Sequence, residues 1–368
     1  MKIGLNATCL NNRPSGARQR FVGIYSELFK SLPDSEFVIY EPFDCPVGSW
    51  FDENTNVSFK QTRIPSEGRL QRLAGGFRYW GEELAREKFD CFEGFHLPII
   101  KAPTGKTLLT IHDIRGLNSE YGVISRAVYK SVLDRSIRSM DQVITVSETM
   151  KEEIVKYYPT SSISVIYNGF DIHGFDSVNE STILSVRQKF ALPEEFILAV
   201  GHFERRKNYQ RLIEAISILR DMGRSCALVI IGNNNGEKGA LEKQIELLNL
   251  SGHVQIISGL SDIEVRSAYK LCSLFIFPSE YEGFGIPILE AMAAGCPMVL
   301  SDIPVFREIT QNKGIYFPYD DVELMASAIE KGLSSSHERA SLIDYGNKRV
   351  KDFSFKNLAE QVVSLYKS

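Results

Sequence analysis

The sequence predicts an α/β protein made of two parallel-sheet domains, and three observations support this prediction. The chain has 368 residues, which suggests about two domains at roughly 100–200 residues each. Short runs rich in β-branched and aromatic residues alternate with helical periodicity nearly from end to end, as parallel sheets with crossover helices require. The composition, 43% hydrophobic and 24% charged, is typical of a globular protein.

The strand candidates fall into two groups, and helical stretches separate them. The first helix carries an apolar stripe on one face, formed by Phe21, Ile24, Tyr25, Leu28, Phe29 and Leu32. The first group of strands comprises residues 3–6, 37–40, 89–92, 107–111, 143–146 and 163–166. The second group comprises residues 196–200, 227–231, 254–257, 274–277 and 298–300. Each group suffices for one doubly wound domain.

The domain boundary is predicted near Asn168-Gly169. This dipeptide is a turn signal, and a polar stretch follows it until strand patterning restarts at Phe196. The prediction therefore divides the chain into a first domain, residues 1–170, and a second domain that begins at residue 171.

Charge and cysteine content limit the classes of function. The 42 Lys and Arg residues nearly balance the 46 Asp and Glu residues, which argues against a dedicated nucleic-acid binder. The six cysteines are scattered singly and favour reduced thiols in the cytoplasm. The N-terminal residues lack a signal-peptide pattern, and no run of 18 apolar residues occurs. We expect a cytoplasmic protein.

One segment has the pattern of a basic amphipathic helix. Such a helix can lie on an anionic membrane, and this interpretation predicts peripheral contact at the inner face of the plasma membrane. Packing in the core is the alternative, and three glycines weaken the helix. The apolar residues are Leu70, Leu73, Phe77, Trp80 and Leu84, and the basic ones are Arg69, Arg72, Arg78 and Arg86.

The residues that suggest chemistry follow predicted strands. In open parallel sheets, ligands bind outside the carboxyl ends of the strands. Loops of both domains carry such residues, so the sequence predicts a ligand cleft between the domains. The four loops are Ser15-Gly16, His112-Asp113, Arg205-Arg206-Lys207 and Glu282-Gly-Phe-Gly285.

The segment 279–295 gives the sharpest signal. Pro287 suits a first helical position, and Gly283 and Gly285 leave the preceding backbone open to an anion. Glu290 then lies near the end of the first turn, where its carboxylate can accept hydrogen bonds from two neighbouring hydroxyls, such as those of a ribose. Glu282 would face the group beyond the phosphates. The alternative is that both glutamates only complement the helix dipole.

Two further loops carry cations or an imidazole. Arg206 and Lys207, between a strand and a helix, suit a diphosphate, although an exposed charged turn has the same pattern. His112 could hydrogen-bond a sugar hydroxyl and respond to developing charge, or it could be structural.

The first loop combines one glycine with several cations. Gly16 would allow close approach to phosphate, and Arg18 and Arg20 could serve an anionic acceptor. A plain basic turn explains the pattern equally well. No Asp-x-Asp metal motif occurs, so we expect neither a metal nor a cofactor.

Together these segments resemble the retaining family 4 glycosyltransferases of GT-B fold. Glu282-x7-Glu290 resembles the family's Glu-x7-Glu signature, and residues 201–208 resemble its Arg-Lys diphosphate clamp. The resemblance covers most of the chain, and the final segment, residues 353–368, resembles the helix that crosses back to the first domain, which leaves 171–352 for the second. The implied site residues are Glu290 for the ribose, Arg206 and Lys207 for the diphosphate, Glu282 with the amides of Gly283, Phe284, Gly285 and Ile286 for the donor sugar, His112 for the sugar near O6, and Gly16 for the phosphates.

The resemblance implies a reaction as well as a fold. We expect transfer of a hexose from a UDP- or GDP-hexose to a hydroxyl of a growing glycan, free or lipid-linked, with retained anomeric configuration and in surface polysaccharide assembly. A nucleotide-sugar-binding protein without transferase activity is one alternative. A phosphorylase or epimerase on the same fold is another.

Overall fold

A computed structural model describes residues 1–12, 15–97, 100–118, 122–159, 162–224 and 226–368, without the side chains of residues 69, 70, 73, 74 and 77. The chain forms two compact units. Unit 1 comprises Met1–Gly169 and Phe353–Ser368, and unit 2 comprises Phe170–Asp352. The division falls one residue before the boundary expected from the sequence.

Unit 1 contains a seven-stranded sheet with the order β3-β2-β1-β4-β5-β6-β7. All six neighbouring pairs are parallel, and α-helices form four of the connections between consecutive strands. The elements are β1 (Lys2–Asn6), α1 (Gly16–Ser31), β2 (Glu36–Glu41), β3 (Val57–Gln61), α2 (Arg69–Arg86), β4 (Cys91–Gly94), β5 (Lys106–Ile111), α3 (Val123–Ser139), β6 (Gln142–Thr145), α4 (Glu148–Tyr157) and β7 (Ile163–Val165).

Unit 2 contains a six-stranded parallel sheet with the order β10-β9-β8-β11-β12-β13. Its elements are α5 (Glu180–Lys189), β8 (Phe196–Val200), α6 (Tyr209–Asp221), β9 (Ala227–Ile231), α7 (Lys238–Leu247), β10 (Val254–Ile257), α8 (Asp262–Leu271), β11 (Leu274–Phe277), α9 (Ile286–Ala293), β12 (Met298–Ser301), α10 (Pro304–Ile309), β13 (Ile315–Phe317), α11 (Val322–Ser334) and α12 (Ser336–Arg349). Two doubly wound parallel sheets confirm the predicted fold class.

The last helix, α13 (Phe355–Lys367), packs in unit 1 against α1. Phe355 occupies space that two glycines leave open, since a Cβ on Gly23 or on Gly169 would come within 2.2 Å of the Phe355 ring. Close packing of this kind tolerates no added methyl group without movement of the ring. The glycines therefore determine how closely the C-terminal helix lies against unit 1.

Two strands escaped the sequence prediction, and both are edge strands. β3 is mostly exposed along its length, and β13 has only three residues. An edge strand pairs on one side only and needs no continuous apolar run. β3 and β13 lack the signal that identified the other strands, whereas the edge strands β7 and β10 carry it.

The helix α2 forms where the basic amphipathic pattern predicted one. Trp80 and Leu84 are buried, and the Trp80 ring lies 5.0 Å from that of Tyr40 and 5.3 Å from that of Phe92. This end of the apolar stripe packs into unit 1, as the core-packing alternative predicts. The side chains of Leu70, Leu73 and Phe77 lie outside the description.

Candidate functional site

The candidate site of unit 2 lies where the strand order reverses. β8 and β11 are neighbours at the centre of the sheet, and the chain continues from them in opposite directions, which leaves a crevice at their carboxyl ends. The loop after β8 forms a short 3-10 helix, Arg205–Lys207. The loop after β11 contacts it, since the Glu280 amide donates to the Arg206 carbonyl at 2.9 Å. The fold thus joins two loops that are about 70 residues apart in sequence.

Three predicted site residues meet in this crevice. The Glu282 Oε1 atom accepts from Arg206 Nη1 at 2.6 Å and from Lys207 Nζ at 2.7 Å. Arg206 also donates through Nε to Glu204 at 2.8 Å, and Lys207 Nζ lies 4.6 Å from the centre of the Phe277 ring. Sequence reasoning had assigned the cations and Glu282 to different parts of a ligand. The structure instead brings them into one bonded cluster.

Burial and charge set the protonation of this cluster. Burial raises the pKa of Glu282, but Lys207 and Arg206 outweigh it, so the pKa of Glu282 is lowered overall. Burial lowers the pKa of Lys207, and the attraction of Glu282 opposes that decrease. A buried cation with a carboxylate partner stays charged when the pair is well bonded. The two cations therefore balance two carboxylates, Glu282 and Glu204, and stand as preorganised donors that an anion could share or take over.

The segment between the two glutamates opens onto a helix N-terminus. Gly285 has a φ of +130°, and a Cβ there would lie 3.2 Å from the Phe306 ring, so both conformation and space favour glycine. α9 starts at the next residue, Ile286, and has proline in its first turn. The amides of this turn lie at the positive end of the helix dipole.

Glu290 has a partner that sequence reasoning missed. Its Oε2 atom accepts from the Tyr269 hydroxyl at 2.8 Å. Burial raises the pKa of Glu290, and the Tyr269 hydrogen bond partly offsets the increase. Tyr269 lies on the buried face of α8 and looks like a core residue in the sequence. Only the packing of α8 beside α9 reveals that it orients the carboxylate.

Unit 1 places His112 directly after β5. Burial lowers the pKa of His112 to about 3, and the nearby Arg20 adds to the decrease. His112 and Arg20 line the same small cavity. The imidazole is therefore neutral near pH 7, where it can donate or accept a hydrogen bond without acting as a cationic acid.

A second histidine, His96, went unnoticed in the sequence. It follows β4, the strand that neighbours β1 where the order of this sheet reverses. Its Nδ1 atom is buried without a hydrogen-bond partner, and burial lowers its pKa to about 3. The signal that pointed to His112, a histidine just after a strand, applies equally to His96.

The first loop corrects the expectation for Arg20. This side chain is buried, and its Nη1 atom donates to the carbonyl of Ile166 at 2.9 Å and to that of Tyr167. Its position indicates a structural role, not contact with an acceptor. The other two residues lie where the loop meets α1: Gly16 is the first helical residue, and Arg18 donates to the Asn12 carbonyl at 3.1 Å.

Replacing Arg20 with alanine is expected to destabilise unit 1 by about 2–4 kcal/mol, because two carbonyls lose a charged donor. Chemical unfolding of the variant measures this loss. Arg18→Ala is the matched control; its guanidinium lies 4.2 Å from the Trp50 ring, a contact worth about 0.5–1 kcal/mol. An Arg20→Ala variant that kept its stability but lost acceptor affinity would contradict this assignment.

The two histidines should make folding stability depend on pH. Each has a pKa near 3 when folded and near 6.5 when unfolded, so the unfolded chain binds more protons below pH 6.5. The free energy of unfolding should therefore fall as the pH drops from 6.5 toward 3, by up to about 1.4 kcal/mol per pH unit for each histidine. Urea unfolding of His112→Asn across this range should show a shallower decrease than the parent, and equal slopes would refute the assignment.

Two features, a metal site and a membrane-spanning helix, are absent from the described ranges. Among those residues, no group of three or more His, Cys, Asp or Glu side chains could hold a metal ion. Nor does any helix in the described part of the chain have the length and apolarity to cross a membrane.

Family models of known proteins match both halves of this sequence. The family model "Glycosyltransferase Family 4" matches residues 36–173, and "Glycosyl transferases group 1" matches residues 182–349. The chain is 30% identical to the O-antigen chain mannosyltransferase RfbU of Salmonella typhimurium over 76% of its own length and 73% of that protein. It is 27% identical to the O-antigen chain mannosyltransferase B of Escherichia coli over 71% and 70% of the two chains.

Solved structures share the fold over the whole chain. The structure of HepE from Anabaena, in complex with UDP and glucose, superposes with a TM-score of 0.74 at 19% identity and covers 100% of this chain and 99% of its own. That of WaaG, a glycosyltransferase of lipopolysaccharide biosynthesis, gives a TM-score of 0.75 at 17% identity with 99% coverage of both chains. With both halves matched to family models and GT-B neighbours along its full length, the chain belongs to the family 4 glycosyltransferases and is a glycosyltransferase of GT-B fold.

Proposed function

We propose that this enzyme transfers a hexose from a nucleoside diphosphate sugar to a hydroxyl of a growing glycan, with retained anomeric configuration. The observation that carries the proposal is the cluster of Arg206, Lys207 and Glu282 at the reversal point of the unit 2 sheet, with the Glu290 carboxylate in the next helix. The relatives of similar sequence are named as O-antigen mannosyltransferases. GDP-mannose is therefore the first donor to test.

The cluster suits the charge that develops during transfer. Breaking the glycosidic bond leaves negative charge on the diphosphate and positive charge on the sugar. Arg206, Lys207 and the start of α9 would stabilise the first charge, which is electrostatic catalysis by preorganised groups. We propose that these groups suffice without a metal ion or cofactor. The leaving phosphate would take the acceptor proton on the face that the diphosphate vacates.

Diphosphate and Glu282 compete for the same two cations. Both cations donate to a single carboxylate oxygen, Oε1 of Glu282, so a bound diphosphate has to share or replace these bonds. Glu282 would then be free to meet the donor sugar, in the position that its resemblance to the family implies. Donor binding would thus convert an internal ion pair into a sugar contact.

The acceptor and the location are part of the same proposal. The relatives named for O-antigen chains support a surface polysaccharide as acceptor, free or lipid-linked. We propose that the enzyme acts in the cytoplasm, and at the inner face of the plasma membrane when the acceptor is lipid-linked.

A donor panel tests the proposal. We expect GDP-mannose, or else a UDP-hexose, to raise the melting temperature of the protein, because a ligand that binds only the folded state stabilises it. Incubation with that donor and a lipid extract should release the nucleoside diphosphate and label a glycan, and NMR should show the anomeric configuration of the donor in the product. Binding without release would identify a nucleotide-sugar-binding protein, and an inverted product would overturn the retaining mechanism.

A further inference from the structure

The helix α3 has apolar residues on its outer face where a soluble helix usually carries polar ones. Ile124 is 82% exposed, Val123 73% and Val128 55%. The opposite face packs into unit 1 through Leu133, Ser136 and Ile137. A contiguous exposed apolar patch on a folded protein indicates an interaction surface.

The rest of the outer face is basic. Ile124, Val128, Ser131, Arg135 and Arg138 recur at alternating intervals of four and three, so they form one stripe along the helix, and all five are exposed. The whole helix carries four cationic side chains and one carboxylate, whereas the chain as a whole has a formal charge of -4. Within the described residues, no ion pair involves the guanidinium of Arg135 or Arg138. The stripe is therefore apolar in its first two turns and cationic in its last two.

We propose that this stripe of α3 docks on an anionic lipid surface. Apolar side chains at one end would enter the boundary between headgroups and acyl chains, and the arginines would meet lipid phosphates, which is the pattern of an interfacial amphipathic helix. A second copy of this chain fits less well, because three apolar side chains cover far less than the roughly 800 Å² per partner that a stable interface buries.

The position of α3 beside the unit 1 sheet suggests what this lipid contact does for the enzyme. α3 follows β5 and leads back to the parallel strand β6, so its first turns lie at the carboxyl edge of the unit 1 sheet. His112 follows β5 at the same edge. A lipid surface held there would bring a lipid-linked glycan to the side of unit 1 that carries His112. The delivery of a lipid-linked glycan rests on the proposed function, whereas the docking of α3 on lipid does not depend on it.

Vesicle flotation tests the docking. The parent protein should float with phosphatidylcholine vesicles that contain about 30% phosphatidylglycerol and remain unbound with pure phosphatidylcholine, and high salt should weaken the binding. The double variant Ile124→Asp/Val128→Asp and the double variant Arg135→Glu/Arg138→Glu should each lower the bound fraction about tenfold or more. All four side chains are exposed, so the melting temperature should not change.

Leu247→Asp is the matched control. Leu247 is 70% exposed at the end of α7, a helix in which two lysines balance two glutamates, so this variant should float like the parent. The inference is overturned if the parent ignores anionic vesicles, if the α3 variants float like the parent, or if light scattering shows that Ile124→Asp splits a dimer.

Activity separates the two proposals. With a water-soluble oligosaccharide acceptor, the α3 variants should match the parent, whereas with a lipid-linked acceptor in anionic vesicles they should lose about tenfold or more of the transfer rate. A parent that floats but transfers no sugar would refute the proposed function and leave the docking surface in place. A parent that transfers sugar but does not float would refute the docking surface and leave the proposed function in place.

Discussion

Replacing Lys207 with methionine is expected to lower sugar transfer by about 10²–10³-fold, the usual cost of removing one preorganised group that stabilises developing negative charge. The Lys207 ammonium is buried and donates to Glu282. Without it, Arg206 is the one cation left in the cluster to face Glu204, Glu282 and the diphosphate. Steady-state kinetics with a saturating acceptor would measure the loss.

Arg205→Met is the control for Lys207→Met. Arg205 is the first residue of the same 3-10 helix and is exposed, so its removal changes the charge of the loop without touching the cluster. We expect its activity to stay within about twofold of the parent at ordinary ionic strength, because exposed charges are screened. Equal losses in the two variants would mean that general attraction, not the buried ammonium, drives donor binding.

Replacing Glu290 with alanine is expected to weaken nucleoside diphosphate binding by about 10–100-fold, since hydrogen bonds to a charged group contribute about 1.5–3 kcal/mol. Tyr269→Phe should cause a smaller loss of about three- to tenfold, because it removes only the 2.8 Å bond that orients the carboxylate. Calorimetric titration with GDP and UDP would measure both. Glu282→Ala, by contrast, should mainly lower turnover.

A deoxynucleotide makes the test of Glu290 specific. If the carboxylate holds the ribose, the parent should bind a 2′-deoxynucleoside diphosphate more weakly than the ribonucleotide, and Glu290→Ala should lose that preference. Removal of the 2′-hydroxyl and Glu290→Ala would then break the same interaction. A double-mutant cycle detects this as binding free energies that do not add. A variant that still preferred ribose would show that Glu290 contacts another part of the nucleotide.

Local pattern made much of this fold predictable. The buried strands of a parallel sheet are continuous apolar runs, so the central strands β8, β9 and β11 were identified to the residue. The edge strands β3 and β13 lack that signal. The outer face of α3 also escaped notice, because sequence alone does not tell which face of a short apolar pattern packs inward.

The candidate site was partly predictable for a similar reason. Glu282 and Glu290 are close in sequence, and the glycines and proline between them are local signals of a loop that leads into a helix. The role of Arg20 was predicted wrongly because its partners, the carbonyls of Ile166 and Tyr167, lie 146 and 147 residues away. An arginine in a basic loop gives no sign that it will be buried.

The sequence by itself determined the α/β class, the order of the elements and the loops that carry the chemistry, because these depend on periodicity and turn signals within short windows. Only the tertiary structure decided that Arg206 and Lys207 share one oxygen of Glu282, that Tyr269 orients Glu290, and that α3 presents apolar residues outward. The physical reason is that hydrogen bonds and burial depend on which distant segments pack together. A short window of sequence does not show which distant segments will pack against it, whereas the folded sheets bring those segments within hydrogen-bonding distance.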